Sequence, residues 1–437
     1  MKALVVERQL HRFAAARLGA ALAGTGAAHG LGPLRLLEAE APGLPSSAWH
    51  RIRPRLAGIC GSDLHTVDGA SSRYFEPIVS FPFVLGHEVV ADVLDGPLAG
   101  RRAVLEPVLG CAARGIDPPC SACRRGQKGR CERIAYGEIS AGLQTGFCHD
   151  TGGAFAEELI AHDTQLHAVP DDLSDEEAVI VEPTACGIHV ALAADVVPGE
   201  VAVVLGAGTI GLTTLAALRR YGLPRTLIAV ARHPVQRSLA RSLGADGVVS
   251  STELTRAVRR ATATLAFERD AGELERLAGG ADVVLDCVGT SESITEALAV
   301  VRPGGRVVLA GMPSTVKVDL APLWQREITL LGAYTYGTEH VSDPARPGEV
   351  AEVRARPTFD LAFELVRSAD LGRLVSASYA LEHYEEALRH AGQAGRRGAI
   401  KIVFDLRRPA GSWHSTEPAS AAGMPPVTDH SPTKGAS

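Results

Sequence analysis

Three short motifs, far apart in the chain, contain side chains of the kinds that bind zinc. They are Cys60-Gly-Ser62-Asp63-Leu-His65, Gly86-His87-Glu88 and Val181-Glu182-Pro183. Thiolate, imidazole and carboxylate groups all ligate zinc, and a site with three protein ligands keeps a fourth position for water or substrate. Alone, each residue is more simply interpreted as a packed thiol, a hydrogen-bonded histidine or a solvated acid. Their combination with the nucleotide-binding motif described next indicates a catalytic metal centre.

A glycine-rich motif follows an apolar run that is predicted to be a strand, Val201–Leu205. The motif is Gly206-Ala-Gly208-Thr209-Ile210-Gly211, and a helical pattern comes after it. In this order Gly206 permits a tight turn, Gly208 lets the backbone approach a pyrophosphate, and Gly211 lets the helix pack on the strand. The N-terminus of the helix then faces the phosphates. We therefore expect these glycines, with Thr209 and Ile210, to bind a dinucleotide.

The end of the next predicted strand bears on which dinucleotide is bound. An NAD site normally has an Asp or Glu there to bind the ribose hydroxyls, whereas this chain reads Ala231-Arg232-His233, with no carboxylate from Ala231 to Arg237. A planar guanidinium binds phosphate oxygens in pairs. The segment predicts a preference for NADP(H) over NAD(H), with Arg232 as a contact. The alternative is an ordinary surface arginine, because most of the 44 basic residues are arginines.

Four of the eight cysteines lie close together, in the pattern Cys111-x8-Cys120-x2-Cys123-x7-Cys131. In a reducing compartment such a cluster indicates metal binding rather than disulfides. Four thiolates make a closed tetrahedral zinc site without room for substrate, so we expect a structural zinc here. The alternative is a lobe that lacks the metal. Cys148, Cys186 and Cys287 are predicted to be ordinary buried or half-buried thiols.

Length and composition exclude several classes of protein. The 437 residues suggest two or three domains, and 46% hydrophobic with 22% charged residues is a usual globular mixture. The net charge of −6 provides no positive field for a nucleic acid. We see no signal peptide and no convincing membrane helix, which predicts a cytoplasmic protein without nucleic-acid or membrane partners.

The texture of the sequence predicts an α/β organisation. Residues 1–188 indicate a mainly β domain, 189–336 alternate strands with helices as in a parallel sheet, 337–408 return to the first domain, and 409–437 form a disordered tail. The remaining predicted elements are the strands Leu227–Val230, Val283–Leu285, Val307–Leu309, Ile328–Leu331 and Ile400–Phe404, the helices Leu10–Ala23, Phe359–Val366 and Tyr384–His390, a solvated helix over 252–280, and a polar loop over 338–357.

Four segments together resemble the zinc-dependent medium-chain alcohol dehydrogenase family. They are Gly-Ile-Cys60-Gly-Ser-Asp, Gly86-His-Glu, Gly206-Ala-Gly-Thr-Ile-Gly and Arg302-Pro-Gly-Gly-Arg. The resemblance extends from Met1 to about Leu406. It implies a Rossmann-type doubly wound parallel sheet plus a mainly β, GroES-like catalytic domain with a zinc-binding lobe. It also implies a homodimer or homotetramer. The segment over 10–32 and the eight-residue gap after Cys111, where the family has two residues, depart from the pattern.

The resemblance implies roles for individual residues. Cys60, His87 and Glu182 would ligate the catalytic zinc, with Glu88 as an occasional ligand; Ser62 and His65 would relay the alcohol proton; Asp63 would orient a ligand histidine; and Lys401 would contact the cofactor pyrophosphate. Cys186 lies four residues after Glu182, but the family register assigns the ligand to Glu182. A carboxylate there is common in members that act on polyols and secondary alcohols.

We therefore expect a zinc-dependent oxidoreductase that transfers a hydride between NADP(H) and an alcohol/carbonyl pair, with a secondary alcohol, polyol or sugar-type substrate. One alternative is a metal-free reductase of the same superfamily. Another is a non-catalytic protein that senses NADP(H). Four aromatic residues are candidates for the substrate pocket: Tyr74, Phe75, Trp324 and Tyr336.

Overall fold

A computed structural model describes residues 1–24, 32–267, 276–342 and 353–407. The tail predicted from residue 409 lies outside these ranges. The described strands are β1 (Lys2–Val6), β2 (Leu34–Glu38), β3 (Trp49–Gly58), β4 (Phe83–Val84), β5 (Glu88–Val93), β6 (Arg102–Leu105), β7 (Leu159–His162), β8 (Leu166–Ala168), β9 (Val201–Leu205), β10 (Thr226–Val230), β11 (Gly247–Val249), β12 (Ala266–Phe267), β13 (Arg276–Leu277), β14 (Ala281–Asp286), β15 (Val301–Leu309), β16 (Thr329–Gly332), β17 (Thr338–Ser342), β18 (Val353–Pro357), β19 (Val375–Tyr379) and β20 (Lys401–Asp405).

The described α-helices are α1 (Leu10–Ala23), α2 (Gly61–Val67), α3 (Ser121–Arg124), α4 (Asp175–Val179), α5 (Val181–Ala193), α6 (Thr209–Ala217), α7 (Pro234–Ser242), α8 (Ser251–Thr262), α9 (Ser291–Val300), α10 (Ala321–Gln325), α11 (Thr358–Ser368) and α12 (Tyr384–Gly392). None of the helices in the described ranges combines the length and the apolar run that crossing a bilayer would take.

The dinucleotide domain is a parallel sheet with the strand order β11-β10-β9-β14-β15-β16. The order reverses at β9, so the sheet is doubly wound. Along β9, Ala202 and Val204 join one apolar core with residues of α5 and α6, while Val203 and Leu205 join a second core with residues of α8 and α9. A strand covered on both faces reads as a continuous apolar run. The predicted fold class is confirmed.

The catalytic domain is built on a mixed sheet in the order β19-β20-β3-β5-β6-β8, with β7 also paired to β3. A smaller sheet, β2-β1-β4, lies beside it. The last strand, β20, returns from the end of the described chain and pairs antiparallel with β3, which pairs with β5 on its other side. This return of the chain places residues near position 400 next to residues near positions 60 and 88.

Two sequence expectations are wrong. The helix predicted over 252–280 ends at Thr262, where Ala263 adopts a left-handed φ of 52°, and β12 and β13 then pair antiparallel. The region predicted as a polar loop over 338–357 contains the antiparallel strands β17 and β18. In both cases a short antiparallel pairing between two neighbouring segments overrides the local composition.

Two other predictions can be compared with the structure, the limits of helix α1 and the domain limit at residue 188. Helix α1 has the predicted limits, and Gly24 follows it with a φ of 93°. The domain limit placed at residue 188 falls inside α5, which begins at the catalytic centre and continues along α6 of the dinucleotide domain. One helix therefore belongs to the packing of both domains, and the domain limits stay a prediction.

Candidate functional site

Strand pairing brings the first two metal-binding motifs together. Gly58, at the end of β3, pairs with Glu88 on β5 and with Val403 on β20. A Cβ atom at Gly58 would collide with the Glu88 carboxylate, so a glycine is needed for this close approach. Cys60 follows two residues later. Its sulfur, a ring nitrogen of His87 and a carboxylate oxygen of Glu88 all lie within 4.8 Å of one another.

Asp63 links the two motifs. It is fully buried, and its Oδ2 accepts a hydrogen bond from the backbone N–H of Cys60 at 2.8 Å. Its Oδ1 lies 3.4 Å from His87 Nδ1. Burial alone would lower the pKa of His87, but the Asp63 carboxylate outweighs burial and holds that pKa well above its ordinary value. With Nδ1 turned toward Asp63, Nε2 is the nitrogen left for a metal, as in carboxylate–histidine–zinc arrangements.

Helix α5 supplies Glu182 from the other side. Its side chain is buried, and its Oε1 accepts a 3.7 Å contact from the Cys186 thiol one turn later. Burial raises the pKa of Glu182 to about 7; the charge of His87 opposes the shift and that of Glu88 adds to it. A buried carboxylate is costly without a cation beside it. The donor set of thiolate, imidazole and carboxylate therefore fits a divalent metal, and a thiolate with an imidazole favours zinc.

Glu88 is held by a cation of its own. The buried Lys401 ammonium donates to Glu88 Oε2 at 2.6 Å, to Oε1 at 2.8 Å and to the Ile59 carbonyl at 3.0 Å. Burial would lower the pKa of Lys401, but Glu88 raises it above its ordinary value. These three acceptors use all three ammonium hydrogens. The expected contact of Lys401 with a cofactor pyrophosphate is therefore not what the structure contains: Lys401 is the partner of Glu88.

Ser62 and His65 lie on the same face of α2, because they are three residues apart in a helix. The Ser62 hydroxyl is 3.5 Å from His87 Nε2. The side chains of Ser62 and His65 are both half-buried. Burial lowers the pKa of His65, which favours a neutral imidazole able to accept a proton. The two side chains therefore lead from the cluster toward the edge of the domain.

The glycine motif has the geometry that a dinucleotide requires. Gly206 adopts a φ of 88° directly after β9. No atom lies within 4 Å of the position a Gly208 Cβ would take, which leaves open space at the start of α6, next to Thr209 and Ile210. At Gly211 a Cβ would collide with the Gly206 carbonyl. The loop thus offers a cradle in front of a helix N-terminus, where a pyrophosphate binds.

The four cysteines of residues 111–131, which we call the Cys lobe, also meet. Their sulfurs all lie within 4.8 Å of one another, including that of Cys111, whose spacing departs from the family. Backbone N–H groups point at the sulfurs, for example from Cys120 to Cys111 Sγ at 3.3 Å. Although burial opposes ionisation, backbone hydrogen bonds from Cys123 and Glu132 lower the pKa of Cys120 to about 6. Burial, by contrast, raises the pKa of Cys131 to about 11 and that of Cys123 well above its ordinary value. Four convergent sulfurs fit a tetrahedral zinc.

The long gap after Cys111 contains a buried arginine. Arg114 is fully buried, and its guanidinium donates to five backbone carbonyls, those of Leu109, Tyr136, Ile139, Ser140 and Gly142, at 2.6–3.3 Å. Burial lowers its pKa, while the nearby Cys148, Cys131 and Cys111 thiols raise it. The additional residues therefore do not open the lobe. They add a cation that ties the cysteine-bearing turn to residues 136–142.

Comparisons with known proteins agree with this geometry. The family model of the alcohol dehydrogenase GroES-like domain matches residues 46–171, and that of the zinc-binding dehydrogenase matches residues 209–347. Together they match more than half of the chain. The chain belongs to the zinc-type medium-chain dehydrogenases. As a member of this family it is an oxidoreductase of alcohols that works with zinc and a nicotinamide cofactor.

Individual relatives cover most of this dehydrogenase. L-idonate 5-dehydrogenase of Vitis vinifera is 29% identical over 368 residues, which cover 82% of this chain and 87% of that protein. A sorbitol dehydrogenase of Arabidopsis thaliana is 28% identical over 378 residues, covering 83% and 90%. Among solved structures, an alcohol dehydrogenase of Thermus sp. ATN1 superposes with a TM-score of 0.62 at 25% identity, covering 93% of this chain and 99% of that one.

The candidate pocket residues of this dehydrogenase differ in their exposure. Tyr336 is 3% exposed, and burial together with the nearby Glu182 and Cys186 raises the pKa of its hydroxyl. Trp324 and Tyr74, by contrast, are 73% and 75% exposed, and Phe75 is also exposed. Sequence reasoning could not distinguish them, because an aromatic residue is compatible with a pocket, a core or a surface.

Two functional relationships were missed in the sequence. One is the Glu88–Lys401 pair, which depends on the pairing of β20 with β3. The other is the guanidinium of Arg114, for which the unusual gap after Cys111 was the available signal. In both cases a charged side chain contacts residues that are far from it along the chain. The periodicity of the sequence gives no information on such contacts.

Proposed function

We propose that this dehydrogenase oxidises secondary alcohols of the polyol or sugar type, and reduces the corresponding carbonyl compounds, with NADP(H) as cofactor. The observation that carries the proposal is the cluster of Cys60, His87 and Glu88 beside Ser62, whose metal-binding atoms lie within 4.8 Å of one another. The buried Glu182 is close enough for the charges of His87 and Glu88 to act on its pKa. The convergent group of the Cys lobe consists of four sulfurs without a carboxylate or an imidazole among them, so the first cluster is the one suited to chemistry.

Cys60, His87 and Glu182 would hold the catalytic zinc. Two buried carboxylates compete for this role, and their partners distinguish them: both oxygens of Glu88 are bound by Lys401, whereas Glu182 has no such cation among the described residues. When bound, the zinc supplies a Lewis acid that polarises the substrate oxygen. The four sulfurs of the Cys lobe would hold a second, structural zinc.

Ser62 and His65 would move the proton. The Ser62 hydroxyl lies at the cluster and can accept the proton of the alcohol while donating its own toward His65. His65, half-buried with a lowered pKa, is neutral at pH 7 and can pass that proton to solvent. Asp63 keeps His87 Nδ1 directed away from the reacting side.

Gly206, Gly208, Thr209, Ile210 and Gly211 would bind the pyrophosphate of the cofactor, whose nicotinamide exchanges the hydride. The strand end at Ala231-Arg232-His233 contains no acid for a free ribose diol. Arg232 is exposed there and free of ion pairs with described residues, which suits a 2′-phosphate.

The substrate class rests on the third ligand and on the relatives. Relatives carry the names L-idonate 5-dehydrogenase and sorbitol dehydrogenase, and both names denote enzymes of polyhydroxylated substrates. The buried hydroxyl of Tyr336 beside Glu182 is a hydrogen-bonding group that such a substrate could use.

The test is an NADP+- and NAD+-linked activity screen over primary alcohols, secondary alcohols, polyols and sugar acids, with zinc measured on the same preparation. We expect turnover of a secondary alcohol or polyol, about two zinc ions per chain, and loss of turnover in His87→Ala with cofactor binding retained. Near-normal kcat in His87→Ala, or reduction of activated double bonds without zinc, would establish the metal-free alternative. Cofactor binding without turnover of any substrate would indicate a sensor.

A further inference from the structure

The two domains touch at the strand end that carries Arg232. After α12, the catalytic domain contains a short turn over Ala394–Arg397. This turn packs on His233, a residue of the dinucleotide domain that lies just after β10. A Cβ atom at Gly395 would collide with the His233 ring and lie 3.1 Å from Gln236 Nε2. The turn therefore approaches the His233 ring closely at Gly395, and this contact brings the next residue, Arg396, to the same place.

Two arginines at this contact have no partner for their charge. Arg232 and Arg396 are both exposed, and neither forms an ion pair or a side-chain hydrogen bond within the described parts of the chain. The pKa of His233 is lowered, first by burial and next by the positive charges of Arg232 and Arg396. The charge of Arg232 acts on Glu296 of α9, but the two side chains form no ion pair.

Neighbouring arginines are occupied elsewhere. Arg237 on α7 donates to the carbonyls of Ala231 and Val248, at 3.4 and 3.1 Å. Arg397 interacts with Tyr379 and with His390. Arg232 and Arg396 are thus the two guanidinium groups at this place that remain available for a ligand.

The arrangement has the chemistry of an anion receptor. Two like charges held near one another repel each other, and a dianion between them removes the repulsion while accepting charge-assisted hydrogen bonds from both. The N-terminus of α7, a helix of nine residues, points at the same region and favours negative charge. The end of the second strand is where the adenosine ribose of a dinucleotide lies in this fold.

We propose that Arg396 reaches across the cleft to bind the 2′-phosphate of NADP(H), opposite Arg232. The inference rests on the proposed use of NADP(H), and it adds a selecting residue from the catalytic domain. Because the two arginines belong to different domains, the 2′-phosphate joins the domains as well as identifying the cofactor. Cofactor choice then depends on a closed cleft and not on the dinucleotide domain alone.

The experiment is calorimetric titration of the full chain with 2′,5′-ADP and with 5′-AMP, two probes that differ by the 2′-phosphate. We expect the wild type to bind 2′,5′-ADP at least tenfold more tightly. Arg396→Gln and Arg232→Gln should each weaken 2′,5′-ADP about tenfold and leave 5′-AMP unchanged. Arg241→Gln, an exposed charge further along α7, is the matched control and should change neither affinity. Thermal midpoints measured on each variant identify any folding defect.

The outcomes separate the two proposals. If the wild type binds both probes equally, NADP(H) preference is wrong, and the role of Arg396 is wrong with it. If the wild type prefers 2′,5′-ADP and Arg396→Gln keeps the full preference while Arg232→Gln loses it, NADP(H) use stands and the cross-domain contact is overturned. In the double variant, a loss smaller than the product of the two single losses supports a shared phosphate.

Discussion

The Cys lobe and the catalytic cluster are both candidate zinc sites, but they draw on very different lengths of chain. The lobe takes its four sulfurs from residues 111–131, whereas the catalytic cluster combines Cys60, His87 and the Glu88–Lys401 pair with Glu182 beside them. A site assembled within one turn-rich segment can form its own ligand set locally. A site assembled from several strand ends and a helix requires the whole domain to be folded first.

The groups that surround the two sites also differ. The lobe sulfurs are approached by backbone N–H groups, and the Arg114 guanidinium interacts electrostatically with Cys111 and Cys131. The catalytic cluster faces Ser62 and His65 and contains more than one carboxylate. The comparison teaches that local, uniform donors indicate stability, and distant, mixed donors with titratable neighbours indicate chemistry.

We expect the largest effect when the same type of substitution, cysteine to serine, is made in each site separately. Cys60→Ser and Cys123→Ser remove the same atom from half-buried cysteines. We expect Cys60→Ser to lower kcat/KM by about a thousandfold or more at a nearly unchanged thermal midpoint, because several kcal/mol of transition-state stabilisation are lost. Cys123→Ser should keep kcat within a few-fold in the folded fraction and lower the midpoint by roughly 10 °C.

Zinc content per chain, measured on both variants, is the accompanying readout. Each should lose about one of two ions. A Cys123→Ser protein that retains its midpoint and both ions but has no activity would contradict the division of roles between the two sites.

The second prediction concerns Arg114, which lies in the long gap between Cys111 and Cys120. Arg114→Met removes a buried cation that satisfies five carbonyls, and we expect a loss of about 3 kcal/mol in the free energy of unfolding together with faster zinc release to a chelator. Arg124→Met, an exposed arginine of the same lobe, is the control. Equal chelation rates in the two variants would show that Arg114 does not hold the lobe together.

The smallest effect concerns the link between the lobe and the rest of its domain. The buried Glu106 carboxylate accepts from Lys128 Nζ at 3.0 Å and from His167 Nε2 at 2.9 Å. Burial opposes ionisation, but these partners hold the pKa of Glu106 below its ordinary value. We expect Glu106→Gln to cost about 2 kcal/mol of stability at pH 7, with Glu40→Gln, an exposed acid, as the control.

The pH dependence follows from the sign of that shift. A lowered pKa in the folded state means that the contribution of Glu106 is complete above the pKa of the unfolded chain, roughly 4.3, and is lost as the pH falls through the folded value. The difference in thermal midpoint between wild type and Glu106→Gln should stay constant from pH 6 to 8 and close below about pH 4. A difference that grows toward low pH would refute the ion-pair assignment.

Much of the fold follows from local pattern. The strand β9 and the helix α1 have the predicted limits, because a strand covered on both faces and an alanine-rich run that ends at a glycine both leave a clear signal. The helix predicted over 252–280 and the loop predicted over 338–357 fail for one reason. β12 with β13, and β17 with β18, are short pairings whose stabilisation comes from a partner strand rather than from their own residues.

The sequence by itself determined the chemistry that is available: the donor types, the glycine spacing before α6 and the missing acid after β10. The tertiary structure alone decided which donors are free. It placed Lys401 on Glu88 and left Glu182 beside His87, and it brought Arg396 to Arg232. The physical reason is that a charge acts on whatever lies within a few ångströms of it. Those neighbours are set by the register of β20 against β3 and β5, and by the contact between the domains.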